Sequence, residues 1–350
     1  MDKIEIDRKQ NEVKKGDVFF TTSSETPLEV GMSSVWIYNY KNIYLNSFSF
    51  GYRPTYNFNL NYLAFMLRSQ NIRKNIVILA QGISRFNISK SKIMNIMVPI
   101  PDLDEQEKIG NLFKKIDDLI TVNQHKLEQL KLLKKALLQQ LFPQNDEITP
   151  QIRFANFHDD WDYRKLGEMG KSFSGISGKT KQDFGHGNAK YVTYINVFKN
   201  PITSKFALDK IEIDKKQIEV KCGDIFFTTS SETPNEVGMS SVWKYNMPNV
   251  YLNSFSFGYR LLQEVDLNYL AFMLRSQNIR RKIILLAQGI SRFNISKTKM
   301  MDISIPIPEI KEQEKIGNII LKVDNRIDTC DEKIKHIKDL KKALLEKMFL

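Results

Sequence analysis

EQEKIGNIILKVDNRIDTCDEKIKHIKDLKKALL, from Glu312 to Leu345, reads as one unbroken helix, and EQEKIGNLFKKIDDLITVNQHKLEQLKLLKKALL, from Glu105 to Leu138, repeats it 207 residues earlier. In the later copy Ile316, Ile319, Val323, Ile327, Cys330, Ile334, Ile337, Leu344 and Met348 keep nearly heptad spacing, the pattern of a coiled-coil seam. Acidic residues open each helix, Glu105 and Glu107 or Glu312 and Glu314, where the helix dipole favours them. At 1.5 Å per residue each helix spans on the order of 55 Å, longer than one globular module needs. Two such helices in one chain pair most simply with each other and hold two modules apart.

The repeat extends outward from the helices. Met1 to Phe142 aligns without a gap on Leu208 to Phe349, and roughly two-thirds of the aligned positions are identical. GDVFFTTSSETP at Gly16 recurs as GDIFFTTSSETP at Gly223, YLNSFSFGYR occurs at Tyr44 and Tyr251, and QGISRFNISK at Gln81 and Gln288. Pro143 to Ala207 precedes the second copy, whereas Met1 begins in mid-module, so the first copy is expected to be truncated at its N-terminal side. Up to Pro101 or Pro308 each copy has short β-branched and aromatic runs, Asp17 to Thr22 and Asn42 to Tyr52 among them, which read as strands and turns. A helix is predicted over Leu60 to Asn71 and its twin over Leu267 to Asn278. PQNDEITPQIRF, from Pro143, reads as a linker. The fold class is α+β, a pseudo-twofold repeat of mixed strand-helix modules joined by two long helices in an antiparallel coiled coil.

The 350 residues carry 52 Lys and Arg against 40 Asp and Glu, a formal +12, which favours an anionic partner. No apolar run approaches a membrane span, and the start lacks the pattern of a signal peptide, so a soluble cytoplasmic chain is expected. Two cysteines, Cys222 and Cys330, are too few for a disulfide framework. Duplication supplies a control, because a residue essential to a shared activity should occupy both copies. No histidine does: His125 aligns with Glu332 and His336 with Gln129, while His158 and His186 lie in the unduplicated segment. Cys222 aligns with Lys15 and Cys330 with Asn123. No metal site, thiol nucleophile or catalytic residue is therefore expected. There is no phosphate-binding G-x-x-x-x-G-K-[ST] loop, Phe173 to Gly178 reads as a mobile loop, and Glu105-Gln-Glu107-Lys108 is explained by its place at a helix start without a nuclease role.

The pattern resembles the specificity subunit of type I restriction-modification systems over almost the whole chain. The resemblance rests on Arg153-Phe154, Phe157, Trp161 and Lys165-Leu-Gly-Glu168 at a domain start. Gly289-Ile-Ser-Arg292 with Asn294-Ile-Ser296, Pro306-Ile-Pro308, Glu312-Gln313, Ile316 and the terminal Leu340-Lys-Lys-Ala-Leu-Leu mark its exit. It implies a non-catalytic subunit that recognises a bipartite sequence in double-stranded DNA and recruits modification subunits, two of them, with restriction-translocase subunits. S-adenosylmethionine is implied on the modification partner, with no cofactor in this chain and no membrane. The domains so implied are a partial target recognition domain at 1–103, a spacer helix at 104–142, a linker at 143–160, a complete target recognition domain at 161–310 and a second spacer helix at 311–350. Restoring the first domain predicts nearly the same half-site on opposite strands, an inverted repeat. Two rivals stand beside this reading: a truncated scaffold that binds DNA without sequence preference and self-associates, and a standalone methyltransferase or nuclease, against which the missing motifs weigh.

Within these modules Gln288, Ser291, Arg292 and Asn294, with twins Gln81, Ser84, Arg85 and Asn87, combine side chains suited to guanine, adenine and phosphate, or else form an ordinary turn with Arg paired to a carboxylate. Thr229, Ser230 and Ser231, with Thr22, Ser23 and Ser24, suit backbone or base contacts or a Ser/Thr turn. Ser174, Lys179, Lys181, His186 and Lys190 belong to a DNA-facing or merely solvated loop. Arg280-Arg281-Lys282, beside Arg275, supplies phosphate contacts or a solvated helix end, and Phe255, Phe257 and Tyr259 read as sheet packing. Ile316, Val323, Ile327, Ile334, Ile337 and Leu344 are the partner-helix seam.

Overall fold

The computed structural model describes residues 10–144 and 147–349; Met1 to Lys9, which open the first repeat copy, Asn145 and Asp146 of the linker, and Leu350 lie outside the described residues. The chain divides into two compact units, one of Met1–Leu127 with Thr329–Leu350, the other of Glu128–Asp328.

Unit 1 contains β1 (Val18–Thr21), β2 (Ser23–Ser24), β3 (Ser33–Val35), β4 (Ser49–Tyr52), α1 (Leu60–Leu67), α2 (Gln70–Ile78), β5 (Phe86–Asn87), α3 (Lys90–Met94) and the start of α4 (Leu103–Gln140). β1 is the middle strand of an antiparallel β3-β1-β4 sheet. Val18 and Phe20 point into a core with Tyr62, Leu63, Met66, Ile72 and Ile76, while Phe19 on the other face is only half-buried. The segment expected to be one helix is two: Ser69 takes extended backbone, the conformation of an N-cap residue, and the chain restarts so that Ile72 and Ile76 reach the same core.

Unit 2 contains β6 (Asp162–Lys165), α5 (Leu166–Met169), β7 (Gly170–Ser174), β8 (Phe184–Val192), α6 (Tyr194–Lys199), β9 (Leu208–Ile211), β10 (Ile225–Thr228), β11 (Ser230–Ser231), β12 (Ser240–Val242), β13 (Val250–Leu252), β14 (Ser256–Leu261), α7 (Leu267–Met273), α8 (Gln277–Leu285), β15 (Phe293–Asn294), α9 (Lys297–Met301), β16 (Ser304–Ile307) and the start of α10 (Ile310–Met348). The sheet of unit 1 recurs with one more strand, as β12-β10-β14-β7, beside a β13-β8-β9 sheet and a β16-β6 pair. β10 is buried on both faces: Ile225 and Phe227 enter the main core, and Phe226 enters a second core with Val192, Val197, Trp243 and Val250. The break at Ser276 matches that at Ser69.

α4 and α10 pack together antiparallel. In unit 1 the Lys341 ammonium meets Asp117 at 2.5 Å and covers the Phe65 ring, and the Cys330 thiol faces the Asn123 carbonyl at 3.3 Å. In unit 2 Lys134 meets Asp324 and covers Phe272, the same arrangement at the 207-residue offset. The apolar register differs at two residues from the sequence reading. Ile316, Ile320, Val323, Cys330, Ile334 and Ile337 are buried in strict four-three steps with half-buried Ile327 and Leu344, whereas Ile319 and Met348 are exposed. Ile320 rather than Ile319 faces inward because the first turns of α10 also pack on the module core.

The opening EQEKIG string locks each helix to its module. Gln313 accepts from the Asp266 backbone N–H at 3.0 Å and donates to the Pro308 carbonyl at 2.7 Å; Gln106 does the same with Asn59 and Pro101. Asp266 caps α7, and the cap lies so close to α10 that a Cβ on Gly317 would sit 2.4 Å from the Tyr269 nitrogen. Glycine inside a helix ordinarily costs about 1 kcal/mol against alanine. Here the sign reverses, because overpacking against backbone costs about 1–3 kcal/mol. Gly317→Ala is expected to lower the melting temperature in a calorimetric scan; an unchanged or higher value would refute the close approach.

Candidate nucleic-acid interface

Two strings about sixty residues apart in sequence meet in each unit. β11 pairs with β15, placing Ser230 opposite Asn294 and Ser231 opposite Phe293, and β2 pairs with β5 in the same register. The backbones of Gln288 and Asn294 exchange hydrogen bonds at 2.9 and 2.8 Å, closing Gly289 to Phe293 into a tight tip. Gly289 has φ +138°, left-handed backbone that only glycine adopts without strain. The tip projects Ile290, 97 % exposed, and the exposed Ser291 and Arg292; in unit 1 Ile83, Ser84 and Arg85 stand the same way. Arg292 donates to the Ser230 hydroxyl at 3.3 Å and Arg85 to Ser23 at 3.2 Å, so the arginine pairs with serine, not with a carboxylate. Asn294 and Asn87 each hold the arginine carbonyl at 3.4 Å.

The neighbouring serines are less available than their sequence suggests. Ser230 and Ser231 are buried; Ser231 donates to Glu236, as Ser24 does to Glu29. Thr229 and Thr22 donate to the carbonyls of Phe255 and Phe48. In unit 2 this ladder floors a cleft of about 720 Å³ lined by Tyr194, Ile195, Phe198, Phe255, Ser291 and Arg292, with Glu232 and Glu236. Tyr194 donates to the Ser230 carbonyl at 2.8 Å, and burial pushes its phenol up. Phe255 is 57 % exposed, unlike Phe257 and Tyr259, because it precedes β14 in the turn that Asn253 closes. Tyr194, Ile195 and Phe198 were not singled out by sequence; their only signal is the aromatic pair four residues apart, stacked at 5.9 Å on α6.

Of the residues from Ser174 to Lys190, those at 175–180 are a loop, whereas those from Phe184 onward belong to β8. Ser174 ends β7, where Lys297 reaches it at 3.3 Å, Ile176 is buried, and His186 and Lys190 lie on β8. Lys179 pairs with Asp214 at 3.0 Å, and Asp214 is held down to about 2 by the Lys216 backbone N–H, the Gln217 amide and Lys179. Lys181, His186 and Lys190 are exposed, with His186 3.9 Å from Glu212. None of these lines the cleft. Arg275 and Arg280 fit neither reading of the basic run, phosphate contacts or a solvated helix end. Arg275 donates to the carbonyls of residues 197–200 that end α6, and Arg280 to those of Asn235, Val237 and Gly238. Burial brings them down to about 9 and about 10. Backbone carbonyl groups thus hold both guanidiniums.

Glu312 is fully buried, bound bidentately by Arg153 at 2.8 and 2.9 Å and by the Trp161 indole at 3.0 Å. Its carboxylate bolts the linker to the module. Among the described residues no group of His, Cys, Asp and Glu is placed to hold a metal, and no helix is long and apolar enough to cross a membrane.

The sequence pattern of the type I restriction modification DNA specificity domain matches residues 2–132 and 158–339. The chain is 22 % identical over 266 residues to the type I restriction enzyme MjaVIII specificity subunit of Methanocaldococcus jannaschii, a match spanning 74 % of this chain and 62 % of that protein. It is 23 % identical over 305 residues to the putative type I restriction enzyme MjaX specificity subunit of the same organism, covering 81 % of this chain and 66 % of the other. The chain thus spans somewhat under two-thirds of the length of these relatives. The crystal structure of the type I restriction-modification S subunit from M. genitalium shares the fold, with a TM-score of 0.63 at 15 % identity over 96 % of this chain and 83 % of that one. With both repeat copies matched, the chain belongs to the type I restriction modification DNA specificity domain family.

Proposed function

We propose that the chain is the DNA sequence-specificity subunit of a type I restriction-modification complex. It reads a bipartite target in double-stranded DNA and docks two modification subunits together with restriction-translocase subunits, contributing no catalytic group. Residues 1–103 act as a partial target recognition domain and 161–310 as a complete one, with 104–142 and 311–350 as spacers and 143–160 as linker. S-adenosylmethionine belongs to the modification subunit, and the complex works in the cytoplasm.

One observation carries this reading: each unit presents the same exposed Ile-Ser-Arg tip, braced by the same seryl ladder. Arginine on a rigid tip suits bidentate readout of guanine, exposed isoleucine suits the thymine methyl, and the +12 charge supports backbone attraction. Methylation mapping on random-sequence DNA, with the modification subunit alone as control, is expected to return a two-part motif with a fixed gap. Assembly without any sequence preference would overturn the reading in favour of a non-specific scaffold.

A further inference from the structure

One carboxylate is anchored on the seryl ladder of each unit. Glu236 lines the cleft together with Arg292 and is exposed. Its Oε2 accepts from the Ser231 hydroxyl at 3.1 Å and from the Thr233 hydroxyl at 2.9 Å. Glu29, its twin, is exposed as well, and its Oε2 accepts from Ser24 and Thr26, both at 3.0 Å. In both residues these bonds go to one oxygen, and among the described residues Oε1 has no donor.

The backbone is clamped too. Arg280 donates to the carbonyls of Asn235 and Val237, on either side of Glu236, at 3.0 and 2.7 Å. Arg73 does the same for Leu28 and Val30, on either side of Glu29, at 2.8 Å each. An exposed glutamate ordinarily keeps its rotamer freedom, and fixing such a side chain costs entropy. Here main chain and side chain are both fixed, in both units, while one oxygen is left open.

Arginine and glutamate share the ladder without neutralising each other. Arg292 donates to Ser230 and Glu236 accepts from Ser231, neighbours in β11; Arg85 and Glu29 repeat this on Ser23 and Ser24 of β2. Among the described residues no ion pair joins either arginine to its glutamate. Each ladder therefore presents a forked donor and a separate acceptor. The major-groove edge of a G·C pair has the complementary pattern, since guanine N7 and O6 accept and cytosine N4 donates. Adenine fits less well, because its N7 sets a second acceptor beside N6 and a carboxylate has no hydrogen to offer it. Phosphate repels a carboxylate, so beside a DNA-reading tip the glutamate is left to a base.

We propose that Glu236 and Glu29 are specificity-determining residues, each accepting a hydrogen bond from the N4 amino group of a cytosine. That cytosine is paired with, or one step from, the guanine read by Arg292 or Arg85. The proposal rests on the DNA-reading function above and adds base identity to it: each half of the target contains such a cytosine.

The test is methylation mapping on random-sequence DNA by the complex of modification subunit with the unaltered chain, Glu236→Gln or Glu29→Gln. Glutamine keeps an oxygen for the bracing hydroxyls and adds an amide hydrogen that suits adenine N7. The unaltered chain is expected to require cytosine at one position in each half of the motif. Glu236→Gln shifts that position toward adenine in one half only, with a change in discrimination of about 5–150-fold, and Glu29→Gln does so in the other half. Replacing that cytosine by 2-pyrimidinone, which lacks N4, tests the same contact on the unaltered chain and is expected to weaken binding by a similar factor. A glutamate that merely braces its loop would leave the motif unchanged in both variants; that result, or binding indifferent to 2-pyrimidinone, overturns the proposal. Methylation without any sequence preference by the unaltered chain would instead refute the DNA-reading function itself.

Discussion

Glu312→Ala is expected to destabilise unit 2 by about 3–5 kcal/mol, the usual result of removing one partner from a buried charge pair. The same substitution at Glu105 is expected to cost less than about 0.5 kcal/mol, as at an ordinary surface position. The two glutamates stand at equivalent places in identical EQEKIG strings, yet Glu312 is buried under Arg153 and Trp161 while Glu105 is exposed. Alanine at position 312 removes the carboxylate that holds a guanidinium only 16 % exposed and an indole N–H. For a unit of this size the loss corresponds to a fall of about 6–20 °C in melting temperature. Glu312→Gln keeps an acceptor for the indole and should fall between. Equal behaviour of the two alanine variants in thermal denaturation would show that the clamp contributes nothing.

Arg292→Ala is expected to weaken binding of the assembled complex to its target by about 5–150-fold, the range for loss of one bidentate base contact. Folding should be unaffected, since Arg292 is exposed and its one side-chain bond reaches the Ser230 hydroxyl at 3.3 Å. Lysine separates two modes of contact. It restores a phosphate contact but not a forked contact to guanine. A phosphate role also predicts that the slope of log affinity against log salt falls by about one unit on all sequences. Arg85→Ala, measured beside it, reports on unit 1. Affinity unchanged by Arg292→Ala at fixed salt would remove the tip from the interface.

Much of the fold was legible because it is written twice. Heptad spacing identified the long helices, and alternating runs identified the strands. The seam reading departs from the structure at Met348 and at Ile319, where a three-step and a four-step both preserve an apolar stripe and only packing on the module core selects Ile320. For Arg275 and Arg280 the sequence offers phosphate contacts or a solvated helix end, and cannot reveal that carbonyl groups at the end of α6 and near Gly238 already surround them. The candidate site was half legible: both strings were visible, but their union depends on a ladder between segments distant in sequence. Its aromatic wall lay in the unduplicated stretch, where the repeat offers no comparison. TyrLeuAsn at Tyr44 and Tyr251 is a plainer limit. The same letters give a strand only where β8 is present to pair with it.

Unit 2 is a continuous stretch, whereas unit 1 closes only when residues after Thr329 return to it. Phe349 packs on Tyr62 at 5.5 Å and Phe113 at 5.7 Å, and Ile337 joins the same core. On a translating ribosome these residues follow Leu127 by more than two hundred codons. At about 5–20 residues per second the apolar surface around Tyr62 and Phe113 stays uncovered for on the order of 10–40 s. The unit begun first is finished last, and through that interval it is the part of the nascent chain most in need of a chaperone.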